Sequence, residues 1–443
     1  MNGLLGRFDH EIEIPNEQDF VILYGPNGIG KTKLLELINS TFRGRFSEVD
    51  KIPFKSAVFD FSDGSKLSLS RAGQQSLFGE GESLDLSVEL DAEGSHSVWR
   101  KGRSEEGTTQ RTPLLKLLRA IEGDAPISRI SPDEWLDAYS NELLSADEVI
   151  ERYAYLLPPG SHPYQLPDKI SNFISSLKVH LIETQRLLVN APMRPRATRP
   201  HVQQRKPTVE AFSEDFSRRI GESLAQNSRT SQERDRTFPR RLLSSGNAPA
   251  EATEEKIRER YAEQSVLRAR LADISLLEQS STDLPLPDRE LKDWERLVLW
   301  TYLDDSDKKL ANFQDLLERV ELFRSIVNSR FQFKKIDLSR QGFELVDDFG
   351  RTLPVSSLSS GEQHELVLAY ELLLNVEQGA LVLIDEPEIS LHVAWQQEFM
   401  NDIAKIASTA SLRFVVATHS PQVIHKWWSR ALALQPGGEE AGR

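Results

Sequence analysis

The chain contains no cysteine among its 443 residues. Disulfides, thiolate nucleophiles and thiolate metal ligands are therefore excluded. It also lacks any apolar run near the roughly 18 to 20 residues needed to cross a bilayer. The first residues carry acids at Asp9 and Glu11 and hold no apolar stretch of the kind a secretory signal needs. A cytoplasmic location without membrane contact is the expectation. Basic residues are in deficit: 54 Lys and Arg against 68 Asp and Glu leave a net charge of −14. That argues against a broad nucleic-acid-binding surface and leaves room only for a local basic groove. No repeat with a period of about 20–50 residues is found. Apolar residues are plentiful, at 39% with 20 Phe and 7 Trp, enough for a sizeable core. The length exceeds what one core usually serves, so two lobes, or a head with a large insertion, are expected.

Along the chain, residues 1–24 alternate (Ile12, Ile14, then FVILY at 20–24) and read as strands. Residues 33–42 read as a helix. Between 56 and 100, alternation punctuated by glycine predicts antiparallel hairpins. Residues 101–111 are polar and read as a loop. Residues 112–156 read as helical with breaks near Pro126 and Pro132, and 169–185 as a segment ending in a strand that leads into a site. Residues 190–207 hold four prolines and a run of Arg and Lys without an acid, which reads as a loop. From 208 to 280 the pattern is helical, with Ile257, Tyr261, Leu267, Leu271 and Ile274 on one face. After Pro285 and Pro287 a second long helix, about 289–329, carries Leu310, Phe313, Leu317, Val320 and Ile326 at helical spacing. Two such helices read either as a projecting hairpin or as a packed helical lobe. Residues 331–347 return to strands. The resulting division is 1–111, 112–330, 331–434 and a polar tail at 435–443.

Three motifs carry chemistry. Gly25, Pro26, Asn27, Gly28, Ile29, Gly30, Lys31 and Thr32 form GxxxxGK[ST], directly after an apolar strand and opening an amphipathic helix. The glycines let backbone N–H groups turn around phosphate oxygens, and the helix N-terminus adds its partial positive charge. Lys31 would reach the β and γ phosphates of ATP and Thr32 would ligate Mg²⁺. Next, ALVLIDEP at 380–387 ends a buried strand in Asp385 and Glu386. The carboxyl end of a core strand is where an α/β sheet places ligands. Asp385 would hold Mg²⁺ and Glu386 would polarise the attacking water. The third is LSSGEQ at 358–363, opening a helix; by itself such a segment is a common N-cap.

In this order and spacing, the three motifs resemble those of the ABC-type ATPases. LSSGEQ is similar to their signature motif, which implies that Ser359, Ser360, Gly361 and Glu362 meet the γ-phosphate of ATP held by a second copy. The resemblance further implies roles for Gln185, matching the Q-loop glutamine that senses Mg²⁺ and the attacking water, and for His419 in THSP, matching the switch histidine. Residues 388–392 resemble the D-loop. The EPExxLH and THSP wording resembles the AAA-15/AAA-21 branch, the ATPases of OLD-like nucleases and of anti-phage systems such as PARIS, Septu and retron systems. Its coverage is roughly 1–60, 170–190 and 350–434. The implied fold is α/β, an ABC-type P-loop ATPase head (mixed sheet with an antiparallel β subdomain) carrying a large helical, coiled-coil-like insertion.

The departures matter as well. OLD-like nucleases carry a Toprim domain, and here about 22 residues follow Pro421. No acidic cluster for such a domain is seen: Asp304-Asp305 and Asp347-Asp348 read as solvated. A sensor and scaffold subunit acting with a separate effector, such as a Toprim or HNH nuclease, is the implied role. The alternative is a Rad50- or RecF-like DNA-repair or chromosome ATPase that clamps DNA. It draws on Arg194, Arg196, Arg199, Arg205 and Lys206 as phosphate contacts. The ATPase of a membrane transporter is the weakest of the readings. No aromatic clearly matches an adenine-stacking position; Phe8 and His10 are the candidates.

Overall fold

The computed structural model describes residues 1–15, 18–73, 84–92, 94–101, 111–132, 134–137, 143–157, 166–182, 208–277, 286–354 and 357–435. The chain forms two compact units, Met1–Arg199 with Val376–Arg443, and Pro200–Asn375. The segment holding LSSGEQ thus belongs with the long helices, and the strands leading to Asp385 and His419 belong with the N-terminal segment.

The first unit is built on a five-stranded sheet in the order Ala431–Ala433, Phe20–Tyr24, Arg413–Thr418, Leu381–Asp385, Val179–Ile182. Every pairing in it is parallel, so the antiparallel strands stand in sheets of their own rather than mixed into this one. Parallel sheets are buried on both faces and read as continuous apolar runs. FVILY, LVLI and FVVA are such runs, and Phe20 to Leu23, Val382 to Ile384 and Phe414 to Ala417 are all buried. The helix Lys31–Phe42 packs Leu34, Leu35 and Leu37 into the same core. The helix Val393–Ala410 buries Phe399, Met400, Ile403 and Ile406.

The hairpins expected between 56 and 100 are present as a four-stranded antiparallel meander, Ser56–Asp60, Lys66–Gly73, Leu84–Ala92 and Ser95–Lys101. Leu67, Leu69, Leu86, Val88 and Leu90 form its buried face, at the two-residue spacing that pleating imposes. Two expectations are corrected. Residues 1–15 make isolated bridges (Asn2 with Ser56, Leu4 with Phe8) instead of strands. The strands Ile127–Ser131, Glu134–Asp137 and Leu143–Ser145 form a small antiparallel sheet between the helices Arg111–Glu122 and Ala146–Arg152, where helix was expected over 112–156. It closes over its own core of Leu118, Ile121, Trp135, Leu144 and Val149.

The second unit holds the helices Thr208–Ser245, Glu254–Asp273 and Asp293–Arg330, and the antiparallel strands Lys334–Ser339, Gly342–Asp347 and Thr352–Leu353. The helix Ser360–Tyr370 continues as a π-helical turn, Glu371–Asn375. Both other long helices pack on 293–330, whose Leu310, Phe313, Leu317, Val320 and Ile326 are all buried as their spacing required. This is a packed helical lobe. The helix 208–245 buries apolar side chains only in its first turns, Val209, Phe212, Phe216 and Ile220. Farther along, polar contacts take over: Asn312 donates to Thr230 at 3.0 Å and Lys309 pairs with Asp235 at 2.8 Å. Arg241 clasps Asp305 with both nitrogens, at 2.6 and 2.5 Å. Asp305 is buried, against the sequence expectation, while Asp304 stays half-exposed with Lys308. Asp347 organises its turn by accepting from the N–H groups of Phe349 and Arg351.

Candidate active site

Tyr24, Thr418 and Asp385 close three neighbouring strands of the parallel sheet. The register pairs Tyr24 with Thr418 and Asp385 with Ala417. Gly25, His419 and Glu386 therefore leave the sheet side by side at its carboxyl edge, the edge where α/β sheets hold ligands.

The phosphate-loop geometry follows from its glycines. Gly28 and Gly30 hold φ of +84° and +95°, a region that strains any residue with a Cβ. A Cβ on Gly30 would also lie 2.7 Å from Leu4 Cδ2. Gly30 caps the helix Lys31–Phe42 without any side-chain hydrogen bond, and no acid sits in the first turn. No side chain of its own first turn thus satisfies the donors at the helix start, the arrangement that suits an anion. Lys31 is buried, and Nζ donates to the carbonyls of Gly25 at 2.8 Å and Pro26 at 3.2 Å. The loop closes on a cleft of about 210 Å³ lined by Leu5, Asn27, Gly28, Gly30, Lys31, Thr32, Lys33 and Glu386. Lysine, threonine and the glutamate proposed as base thus face one cavity.

Phe8 and His10 stack on each other, with centroids 6.1 Å apart. His10 is buried with Nε2 3.2 Å from the carbonyl of Ile29. It braces the loop and offers no open face to a base.

At the end of the strand 381–385, burial pushes the Asp385 carboxyl above the usual carboxylate range. A hydrogen bond from Thr32 opposes that push, and the nearby charges of Glu386 and Glu36 add to it. Its Oδ1 is buried without a hydrogen-bond partner. A desolvated carboxylate oxygen next to the hydroxyl of Thr32 is a donor set that suits a hard divalent cation such as Mg²⁺. Glu386 adopts φ 45°, ψ 56°, left-handed for a residue with a full side chain. Its N–H donates to the carbonyl of Ala417 at 2.8 Å, which ties the turn to the neighbouring strand. Such strain persists only where the surroundings over-determine it, and it clusters at functional sites.

His419 follows Thr418 out of the sheet. Its Nδ1 lies 3.1 Å from Glu388 Oε1 and 3.5 Å from Glu386 Oε1. Glu388 is buried and accepts the Thr418 hydroxyl at 2.7 Å and the His419 N–H at 2.9 Å. Ser420 and Gln396 add a hydrogen bond of 3.0 Å, and Gln396 donates to the carbonyls of Glu388 and Leu391. Sequence reading placed Glu388 only in a D-loop-like segment. Nothing in the periodicity announces its contacts, because they depend on two strand ends meeting.

The signature-like segment is described within the second unit. Ser359 caps the helix Ser360–Tyr370 in a reciprocal capping box with Glu362. Glu362 Oε2 accepts from the Ser359 N–H and hydroxyl at 2.8 and 2.9 Å, and from Lys334 at 3.0 Å. Burial pushes the Glu362 carboxyl up, but these bonds outweigh it and hold it below its usual range. Ser359 and Ser360 are exposed, and Gly361 is partly so. Gln185 and the basic run from Arg194 to Lys206 lie outside the described residues. Among the described residues no helix is long and apolar enough to cross a membrane.

Comparison with known proteins supports an ATP-binding chain. The retron Ec83 probable ATPase of Escherichia coli is 29% identical over 212 residues, covering 45% of this chain and 37% of the relative. The phosphonates import ATP-binding protein PhnC 1 of Halalkalibacterium halodurans is 28% identical over 116 residues, covering 26% of this chain and 44% of the relative. The chain thus spans less than half the length of either relative. Among solved structures, the Smc head domain of Pyrococcus furiosus, with an extended coiled coil bound to the C-terminal domain of ScpA, is 12% identical. That match covers 96% of this chain and 89% of the other, with a TM-score of 0.31. The phosphate loop at 25–32 rests on its own motif, since the family match begins after it. Residues 196–425, just over half of the chain, match the family described as "AAA domain, putative AbiEii toxin, Type IV TA system", and the chain belongs to that family of AAA-type ATPase domains.

Proposed function

We propose that the chain binds ATP and hydrolyses it to ADP and phosphate in composite sites shared by two copies. We further propose that the pair is the sensor and scaffold subunit of a prokaryotic anti-phage defence complex, whose nuclease or toxin is a separate protein. One observation carries the ATPase reading: Lys31, Thr32, Asp385, Glu386 and His419 emerge from one carboxyl edge of one parallel sheet, and Glu386 lines the same cleft as the phosphate loop. The defence reading is supported by family membership and by the likeness to a retron ATPase.

In this mechanism Lys31 exchanges the carbonyls of Gly25 and Pro26 for the β and γ phosphate oxygens. The loop N–H groups and the helix start neutralise the same charge. Mg²⁺, when bound, is held by Thr32 and Asp385, with Gln185 as the further ligand the family resemblance implies, and it supplies charge neutralisation at the phosphates. Glu386 takes a proton from the attacking water as its oxygen bonds to the γ phosphorus. The bond to the bridging oxygen breaks and ADP leaves. His419 meets the γ-phosphate. Ser359, Ser360, Gly361 and Glu362 of the second copy complete the site.

Purified chain tests this reading directly. Wild type should hydrolyse ATP, and Glu386→Gln should bind ATP with turnover lowered on the order of a hundredfold or more, trapped as a dimer on size-exclusion chromatography. Wild-type turnover in that variant removes Glu386 as base. Co-purification with the product of a neighbouring gene tests the effector. A chain that is toxic or nucleolytic when expressed alone would count against the scaffold role.

A second reading, DNA clamping, keeps one specific support. Arg229, Arg236 and Arg240 are exposed at spacings of seven and four on the helix 208–245, hence on one face. Failure to bind duplex DNA at low salt, with or without ATP, excludes it.

A further inference from the structure

We infer that Glu388 is the positioning residue for His419, and that it couples the turn holding the proposed base to the turn holding the proposed phosphate sensor. The inference rests on the ATPase reading and adds a role to that site.

The support is geometric. Glu388 stands two residues after Glu386 and is buried, with only 6% of its side chain exposed. A carboxylate so deep in the protein is costly unless it is hydrogen-bonded or paired. Its Oε1 receives two hydrogen bonds from the end of the adjacent strand, from the Thr418 hydroxyl at 2.7 Å and the His419 N–H at 2.9 Å, and His419 Nδ1 lies 3.1 Å from the same oxygen. One oxygen thereby fixes the backbone of the turn and stands beside the ring of the histidine. A carboxylate on one ring nitrogen sets which nitrogen carries the proton and how the ring is turned. With Nδ1 the ring atom nearest Glu388, Nε2 is the one turned to a phosphate oxygen in this proposal.

The same geometry bears on Glu386. Its Oε1 lies 3.5 Å from the same Nδ1, farther than Glu388 and beyond good hydrogen-bond range. Glu388 therefore holds the histidine in place of the base, which leaves the Glu386 carboxylate available to water. Without Glu388, the imidazole's nearest carboxylate would be Glu386 itself, and the base would be occupied by the group meant to sense phosphate. The residue thus keeps two neighbouring functions separate.

A double-mutant cycle on the full chain tests this. Glu388→Ala, His419→Ala and the double variant are assayed for steady-state ATP hydrolysis and for ATP binding. Glu388→Ala is expected to lower kcat about tenfold or more while KM moves less than about threefold, because phosphate-loop binding is untouched. In the His419→Ala background the same change should cost less than about twofold, since a residue acting through His419 has nothing left to position. Glu388→Gln keeps an acceptor for Thr418 and for the His419 N–H. It should recover the melting temperature and part of kcat, and it replaces Glu388→Ala in the cycle if the latter does not fold. Full additivity of the two losses, or wild-type kcat in Glu388→Ala, overturns the inference and leaves the ATPase reading intact. A wild-type chain that neither binds nor hydrolyses ATP overturns the ATPase reading instead, and this inference with it.

Discussion

Two helix N-termini in this molecule are built in opposite ways. The helix Lys31–Phe42 begins at a left-handed glycine, has no side-chain cap and carries no acid in its first turn. The helix Ser360–Tyr370 begins at Ser359 and satisfies two of its own donors through the box with Glu362, whose charge Lys334 shares. An uncapped start costs a helix on the order of 1 kcal/mol unless something else satisfies the donors. In the proposed function, that cost falls where a phosphate binds. The second start is stable by itself, with Ser359 and Ser360 exposed. In the proposed function the first end holds ATP and the second is a finished surface that meets it from another copy.

The largest expected effect breaks the open end. Lys31→Ala should lower ATP affinity on the order of a hundredfold or more, read by titration with ATP, because the buried ammonium has no substitute. Next in size, a long charged side chain on the closed end, Ser360→Arg, should leave ATP binding within about threefold and cut hydrolysis on the order of tenfold or more. Mixing Ser360→Arg with Lys31→Ala should then recover part of the activity, since one composite site per mixed pair is intact. No recovery in the mixture would mean that the two ends work within one chain.

Stability separates the two ends further. Arg241→Ala leaves the Asp305 carboxylate buried without its partner and should cost about 2–4 kcal/mol in denaturant unfolding. Glu362→Ala removes half of the capping box and should cost about 1 kcal/mol. The smallest effect has the opposite sign. The Asp385 carboxyl is raised by burial, so its contribution to stability is present at low pH and is lost as pH rises through its folded-state value. Asp385→Asn should therefore raise the melting temperature of the nucleotide-free chain above that pH, by about 2 °C, and abolish stabilisation by added Mg²⁺.

The GxxxxGK[ST] run, the DE pair, the LSSGEQ segment and the THSP histidine could be picked out because each is a short contiguous run with its own chemistry, and their roles in the site are those proposed above. The long apolar stripe Leu310, Phe313, Leu317, Val320, Ile326 was legible for a similar reason, since helical spacing alone predicts its buried face. Residues 127–145 were misread as helix because strands of three to five residues give too few alternations to register a period. Asp305 was read as solvated because its partner, Arg241, lies 64 positions away. His10 was offered to adenine because a lone aromatic near a phosphate loop carries no sign of whether its ring is buried. Gln185 keeps its place from the motif order alone.

By itself the sequence determined which groups are available: loop glycines that can turn backwards, a lysine and threonine at a helix start, two acids at a strand end, a histidine at another. Those are properties of local bonding and survive in any reading of the chain. Only the tertiary structure decided that strands 20–24 and 413–418, at opposite ends of the chain, lie side by side in register. That pairing brings Glu388 onto His419, nearer to it than Glu386. Contacts of that kind have no local signature, because their energy appears only after the intervening chain has closed.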